Sequence, residues 1–297
     1  QRQMCIRDRM YVMQKYLASD ALKERDIYAF DLWASNFGKV ETTLELAPEG
    51  NRYREKTRFA QFVNTPELIT LFRQFADVKT PDMIKLDVPT LKDGKYSIVE
   101  SEPDDFVKEV METFVERAEA IHNGNVAPDE DNMLKVCHDG KLLAMDVRLI
   151  DPDAVPAPDC KLNKCVENVF KVYNEKDGIQ VIFSDIGVPG ASDKFSVYDY
   201  IKDELVKKGI PSDEICFIHD AKNDKARDVM FEDLRNGTKR IIIGSTQKMG
   251  TGTNIQRLMV AMHELDVPWR PADVEQREGR ILRQGNLNKE VEIFRYV

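Results

Sequence analysis

The stretch KRIIIGSTQKMGTGTNIQRLMVAMHELDVPWRPADVEQREGRILR, from Lys239 to Arg283, decides the fold that we expect. It opens with a β-branched apolar run, Arg240–Ile243, typical of a buried strand, and a glycine-rich turn follows at Gly244–Asn254. Glycines let a backbone approach a charged ligand closely, and this turn also carries short hydroxyl and amide side chains. The pattern therefore predicts a strand that feeds a phosphate-binding turn.

The same stretch continues into QREGRILRQG, which repeats arginine at Arg277, Arg280 and Arg283. On a helix this spacing places the three guanidinium groups on one face, where they can converge on a polyphosphate. A glycine turn is often only a turn, and an arginine-rich helix is often a solvated face. The two features in this order are much rarer, and together they indicate nucleotide or nucleic-acid chemistry.

GSTQKMGTGTN followed by QREGRILRQGN resembles motifs V and VI of superfamily 2 helicases and translocases, which lie in the second RecA-like lobe. Within that superfamily the stretch is most similar to the Swi/Snf-like branch and to the large helicase/DNA-methylase proteins of phages and conjugative elements. Motif VI begins with Gln276-Arg277 instead of Gln-Ala, and Gly279 precedes Arg280, as in the broader helicase form. IQVIFSD, at 179–185, resembles motif IV of the same family.

The resemblance implies a set of site residues. Catalytic roles are implied for the motif VI arginines, which would stabilise charge on the γ-phosphoryl group of ATP: Arg280, the stronger candidate, and Arg283. Contacts with ATP are implied for Gly250, Gly252, Asn254, Gln276 and Arg277, although a structural ion pair with a nearby acid is the favoured role of Arg277. Sequence-independent contacts with a nucleic-acid backbone are implied for Ser184, Ser245, Thr246 and Lys248.

The chain contains neither the pattern Gly-x-x-x-x-Gly-Lys-Ser/Thr nor the strand-end acidic pair with which P-loop ATPases hold phosphate and magnesium. We therefore expect ATP with Mg²⁺ to be the cofactor of a larger protein, whose N-terminal RecA-like lobe grips ATP and supplies the magnesium ligands. DNA is the expected partner, and relatives in mobile elements often carry a fused methyltransferase domain. No residue of this chain is predicted to bind a metal.

Strands alternate with helices beyond the proline-rich segment 152–158, so 159–297 is predicted to be a RecA-like α/β domain with a doubly wound parallel sheet. The predicted strands are 179–184, 215–219, 240–243, 258–263 and 291–297, and the principal predicted helices are 196–207, 225–235 and 272–282. Residues 10–158 are predicted to be mainly helical, with helices that open near Thr65 and Pro103.

Two weaker resemblances lie within 10–158. FDLWASNFG, at 30–38, is similar to the element that follows motif III in Swi/Snf-like proteins, and 131–146 is similar to their helix before the second lobe. This region is therefore expected to hold the end of the first lobe, the protrusions and the linker. Residues 1–9 resemble a translated sequencing-adapter fragment, and we expect both ends of the chain to be cut.

Composition narrows the class of protein. The chain has 297 residues, 42% of them hydrophobic, which predicts a globular fold with one large core or two modest ones. A membrane-spanning run and a secretory signal pattern are both absent from the sequence, and we expect a cytoplasmic location in a bacterial or phage-associated setting. The five cysteines form neither a disulfide framework nor a paired metal-ligand spacing.

A net charge of −9 argues against a protein that binds nucleic acid through its overall field. The motif region is different, because 238–285 contains eight Lys and Arg against five Asp and Glu. Two alternatives stay open beside the motor: a RecA-like nucleic-acid-binding or scaffold module without catalysis, and a Rossmann-type nucleotide enzyme. The three arginines beside the glycine turn argue against the first, and the lack of Gly-x-Gly-x-x-Gly after the first strand argues against the second.

Overall fold

A computed structural model describes residues 6–46, 53–77, 83, 87–127, 129–190, 195–249, 254–268 and 270–297. The chain forms two compact units, residues 1–85 and 86–297. Within the described ranges, no helix is both long enough and apolar enough to cross a bilayer.

The first unit is a small helical assembly with one hairpin. Its elements are α1 (Ile6–Leu17), α2 (Ser19–Lys23), α3 (Phe30–Phe37), β1 (Gly38–Leu46), β2 (Tyr53–Phe62) and α4 (Thr65–Arg73). Trp33 is buried at the centre of an aromatic and aliphatic core, and its Nε1 donates to Oε1 of Gln14 at 2.6 Å. The helix predicted near Thr65 is confirmed, with Pro66 in its first turn.

The antiparallel hairpin β1–β2 was not predicted for this mainly helical region. Its signal is the alternation of Val40, Thr42 and Leu44, which favours a strand. Charged residues interleave with them, which makes the stretch look like a polar connection rather than a strand.

The second unit combines a parallel β-sheet with α-helices. Its helices are α5 (Asp105–His122), α6 (Met133–Met145), α7 (Lys161–Glu175), α8 (Val197–Lys207), α9 (Asp224–Arg235), α10 (Thr246–Met249) and α11 (Pro271–Ile281). Its strands are β3 (Thr90–Leu91), β4 (Ser97–Val99), β5 (Ile179–Phe183), β6 (Ile215–Phe217), β7 (Ile241–Gly244), β8 (Met259–Glu264) and β9 (Glu290–Tyr296).

These strands form one sheet in the order β6-β7-β5-β8-β9, with β3 and β4 both beside β9. The pairs in the sheet are parallel, which confirms the predicted RecA-like α/β fold. Ile241 and Ile243 pack on the side of α7 and α8, whereas Ile242 packs on the side of α9 and α11. The run Ile241–Ile243 thus packs into the hydrophobic cores on both faces of the sheet, because successive side chains of a strand point to opposite faces.

β3 and β4 were not predicted, and they extend the sheet along β9. They explain why residues 86–158, assigned from sequence to the helical region, pack in the same compact unit as the sheet. The helix predicted from Pro103 is confirmed as α5: the Asp104 side chain accepts from Val107 N at its start, and Gly124 follows its end at φ +71°.

One polar network lies inside the core of the second unit. Nδ1 of His263 lies 2.8 Å from the hydroxyl of Tyr296, and Nε2 lies 3.0 Å from Oε1 of Gln180. Because the Gln180 oxygen can only accept, Nε2 carries the proton and Nδ1 accepts from Tyr296. Burial lowers the pKa of His263 to about 3, so the imidazole is neutral in the folded protein.

Candidate nucleotide and nucleic-acid interface

Three strands end at one edge of the sheet and bring polar residues together there. Asp185 follows β5, Thr246 opens α10 just after β7, and Asp266 lies two residues beyond β8. Ligand loops of open parallel sheets gather at this carboxyl edge. Arg277, from α11, joins the three, and we call Asp185, Thr246, Asp266 and Arg277 the Arg277 cluster.

The Arg277 side chain is fully buried in this cluster. Its Nη2 donates to Oδ1 of Asp266 at 2.7 Å and to Oδ2 of Asp185 at 3.1 Å, and its Nε donates to Oγ1 of Thr246 at 2.9 Å. Nη1 donates to the carbonyl oxygen of Asp266 at 2.7 Å. The ion pair favoured for Arg277 is therefore present, and the side chain offers ATP no exposed surface in this conformation.

The two acidic residues of the cluster also contact each other. The backbone N–H of Asp185 donates to Oδ2 of Asp266. Burial raises the pKa of the Asp266 carboxyl, and the charge of Arg277 opposes that rise. The cluster thus pairs the Asp266 carboxylate with a cation and joins α11 to the ends of three strands.

Two residues assigned to nucleic acid by resemblance make hydrogen bonds within the protein. Thr246 is partly exposed, and it donates to Asp185 through both its N–H, at 2.6 Å, and its hydroxyl, at 2.7 Å. Ser184 is buried, and its hydroxyl donates to the carbonyl oxygen of Ile186 at 2.8 Å.

Three other predicted residues lie on α11 or just beyond it. Gln276 and Arg280 are partly exposed on the helix, with Nε of Arg280 buried, and Arg283 is exposed just beyond the helix end. We call Arg280 and Arg283 the outward arginines, because part of each residue reaches the surface. Burial and repulsion from Arg283 lower the pKa of Arg280. Two cations close enough to repel each other favour the binding of a polyanion, and we call the carboxyl edge of the sheet the ligand edge.

A second set of contacts to α11 is made by Glu278, the residue after Arg277, and sequence reasoning missed it. Tyr96 donates its hydroxyl to Oε2 of Glu278 at 3.0 Å, and Arg295 donates through Nη2 to Oε1 of the same carboxylate. Arg295 also donates through Nε to Oε2 of Glu264 at 2.9 Å, and its guanidinium lies 3.8 Å from the centre of the Tyr96 ring. These contacts join residues far apart in sequence, so no local pattern signals them.

Lys248 is exposed and lines a pocket of about 170 Å³ near the start of α9. Lys222 and Arg227 line the same pocket, and we call these three residues the basic patch. Arg227 also pairs with Asp224 at 2.8 Å. Burial and the charge of Lys248 lower the pKa of His219. Sequence reasoning missed Lys222 and Arg227, whose signal is the run AKNDKAR at 221–227.

Four predicted residues remain. Gly250 and Gly252 lie outside the described residues. Asn254 is exposed, and its carbonyl oxygen accepts from Nη1 of Arg235 at 3.5 Å. Ser245 is partly exposed, and its hydroxyl oxygen accepts from the backbone N–H of Lys248 at 3.4 Å.

Free thiols occur at Cys137, Cys160, Cys165 and Cys216, of which the last two are buried. Among the side chains that the structure describes, no three His, Cys, Asp or Glu residues lie together as a metal site.

The chain matches two family models. Residues 169–285 match "Helicase conserved C-terminal domain", and residues 6–80 match "Probable helicase domain". Residues 169–285 are a helicase C-terminal domain. This helicase C-terminal domain contains the Arg277 cluster, the basic patch and the outward arginines of α11.

Solved helicase structures are similar to parts of the chain. The Pyrococcus furiosus Hef helicase domain has 13% identity and a TM-score of 0.47 over 79% of this chain and 62% of its own. The C-terminal part of the Fun30 ATPase domain has 19% identity and a TM-score of 0.38 over 46% of this chain and 40% of its own. The DUF1998 helicase MrfA bound to DNA has 18% identity and a TM-score of 0.37 over 46% of this chain and 18% of its own.

The chain thus spans less than half of the Fun30 and MrfA chains that it matches. No curated protein matches it.

Proposed function

We propose that this chain is the second motor lobe of an ATP-dependent DNA helicase or translocase of superfamily 2, of the Swi/Snf-like type found in phages and conjugative elements. The observation that carries the proposal is the match of residues 169–285 to the helicase C-terminal domain, a range that includes Arg280 and Arg283. A first RecA-like lobe, in cis in the complete gene product, would supply the P-loop and the magnesium ligands. A fused methyltransferase and a cytoplasmic location in a bacterial or phage-associated setting complete the proposal.

ATP with Mg²⁺ supplies the phosphoryl group whose transfer to water drives such a motor. Arg280 and Arg283 fit that polyanion, because two guanidinium groups that repel each other gain when an anion lies between them. Arg280 is the better candidate for the γ-phosphoryl group, since its partial burial strengthens an electrostatic contact. In this proposal Gln276 and Asn254 add polar contacts with ATP, and Gly250 and Gly252 also bind it.

Arg277 has a different role in this proposal. Its guanidinium is directed to Asp185, Thr246 and Asp266, so it holds α11 at the strand ends instead of binding ATP. The contacts of Arg277 with the strand ends fix the position of α11 on the sheet, and the position of α11 in turn determines where the outward arginines lie.

The basic patch supports contact with a nucleic-acid backbone. Lys222, Arg227 and Lys248 surround one small pocket, and cations of this kind bind phosphates without reading the bases. Ser245, partly exposed beside Lys248, would add a hydroxyl contact. The same patch would serve a catalytically inactive nucleic-acid-binding or scaffold module, which is the alternative function.

The complete open reading frame separates the motor from the alternative. We expect an upstream P-loop with a strand-end acidic pair, and DNA-stimulated ATP hydrolysis by the complete gene product. This chain by itself should hydrolyse no ATP, because its sequence lacks the P-loop. A degenerate first lobe, together with nucleic-acid binding but no hydrolysis, would favour the scaffold. Robust hydrolysis by this chain alone would contradict the assignment of its lobe.

A further inference from the structure

We infer that Tyr96 is a positioning residue for the outward arginines of α11, and that it acts through Glu278 and Arg295. The inference rests on the proposed function, because it concerns the direction in which Arg280 and Arg283 face. Tyr96 lies between β3 and β4, in the segment that runs along β9, and it precedes Glu278 by 182 residues.

The two anchors of α11 are consecutive residues. Arg277 ties the helix to the ends of β5, β7 and β8, and Glu278 ties it towards β9 through Arg295. Consecutive residues of an α-helix point about 100° apart, so two such ties fix the rotation of the helix about its own axis. That rotation sets where Arg280, two residues further on, is directed.

Tyr96 supports the contact between Glu278 and Arg295 in two ways. Its hydroxyl donates to the Glu278 carboxylate, and its ring lies under the Arg295 guanidinium that bonds to the same carboxylate. Burial and Glu278 raise the pKa of Tyr96, so the hydroxyl stays protonated and remains a donor at neutral pH. A displacement of about 1 Å at a catalytic group costs on the order of 10²-fold in rate, so a small rotation of α11 is enough to lower turnover.

The chain contains a matched set of contacts away from α11. Tyr173 donates its hydroxyl to Oε2 of Glu214 at 2.8 Å, and the guanidinium of Arg240 lies 3.9 Å from its ring centre. Glu214 and Arg240 directly precede β6 and β7, at the amino ends of the strands, whereas the ligand edge is at their carboxyl ends. Tyr173→Phe therefore removes a tyrosine hydroxyl that also donates to a glutamate and whose ring also lies against an arginine, without touching α11.

The test compares Tyr96→Phe with Tyr173→Phe. The complete gene product is assayed for kcat and for the KM of ATP, and this chain is assayed for its melting temperature and for amide hydrogen exchange in α11. We expect both variants to lower the melting temperature alike. Only Tyr96→Phe should reduce kcat, by about ten-fold or more, while the KM of ATP changes by less than about two-fold. Only Tyr96→Phe should make amide hydrogen exchange in α11 faster. Glu278→Gln keeps the shape of the side chain and should reproduce the loss of kcat.

Equal effects of the two tyrosine variants on kcat would overturn the inference, as would unchanged exchange in α11 of Tyr96→Phe. A wild-type gene product that hydrolyses no ATP would instead overturn the proposed function and, with it, the role of the arginines. The exchange rates would then decide separately whether Tyr96 holds α11 in place.

Discussion

Nη2 of Arg277 donates to Oδ1 of Asp266 at 2.7 Å with the arginine side chain fully buried. The ion pair lies at the ligand edge, but its geometry is that of a structural contact, because the guanidinium donors meet acceptors of the protein. Arg277 thus joins α11 to the sheet, whereas Arg280 is partly exposed and Arg283 is exposed just beyond the helix.

Arg277→Met should destabilise the second unit by about 3–5 kcal/mol, because it leaves the largely buried Asp266 carboxylate without its cationic partner. Urea unfolding followed by circular dichroism measures the change. Arg283→Met is the control: its side chain is exposed, and we expect a change within about 0.5 kcal/mol. Similar stability of the two variants would mean that the buried ion pair does not hold the edge together.

Arg280→Lys in the complete gene product should abolish DNA-stimulated ATP hydrolysis while ATP affinity changes little. An arginine finger contributes about 10³–10⁵ in turnover, and lysine does not reproduce the planar guanidinium fork. Steady-state hydrolysis and nucleotide binding are measured together, with the exposed Arg257→Lys as control. Near-normal turnover in Arg280→Lys, or a loss explained by a lowered melting temperature, would argue for the scaffold.

Lys248→Ala should weaken DNA binding about equally for unrelated sequences and reduce the salt dependence, the slope of log K against log salt, by about one unit. The reason is that one cation of the basic patch is lost while no base contact changes. Fluorescence anisotropy across a salt series gives the slope, and the exposed Lys171→Ala on α7 serves as control. A loss confined to one DNA sequence would contradict a backbone contact.

Acid should destabilise the second unit through His263. The unfolded imidazole has a pKa of about 6.5, whereas burial lowers the folded pKa to about 3. Between these values only the unfolded chain binds the proton, so the contribution of His263 to the free energy of unfolding falls by up to about 1.4 kcal/mol per pH unit as pH drops, and it is fully present above pH 6.5. The stability advantage of the wild type over His263→Gln should shrink from pH 7 to pH 4. Parallel pH curves would show that His263 is not the titrating group.

The sequence by itself determined the alternation of strands and helices over 159–297 and the parallel sheet that follows from it. Buried strands need β-branched runs, and helices need an apolar stripe at helical spacing, so both leave a local pattern. The run Ile241–Ile243 and the helix over Pro271–Ile281 are of this kind, and each was predicted to within one or two residues.

Only the tertiary structure decided which of the three arginines is buried and which are exposed or partly exposed. Arg277, Arg280 and Arg283 have equal spacing in the sequence, but Arg277 is buried because α11 packs that side against the ends of three strands. Packing of this kind depends on residues such as Asp185, which lies 92 positions from Arg277. The contact of Tyr96 with Glu278 spans 182 positions, and no periodicity along the chain records a contact between such distant residues, because periodicity reflects only the face that a residue occupies on its own element.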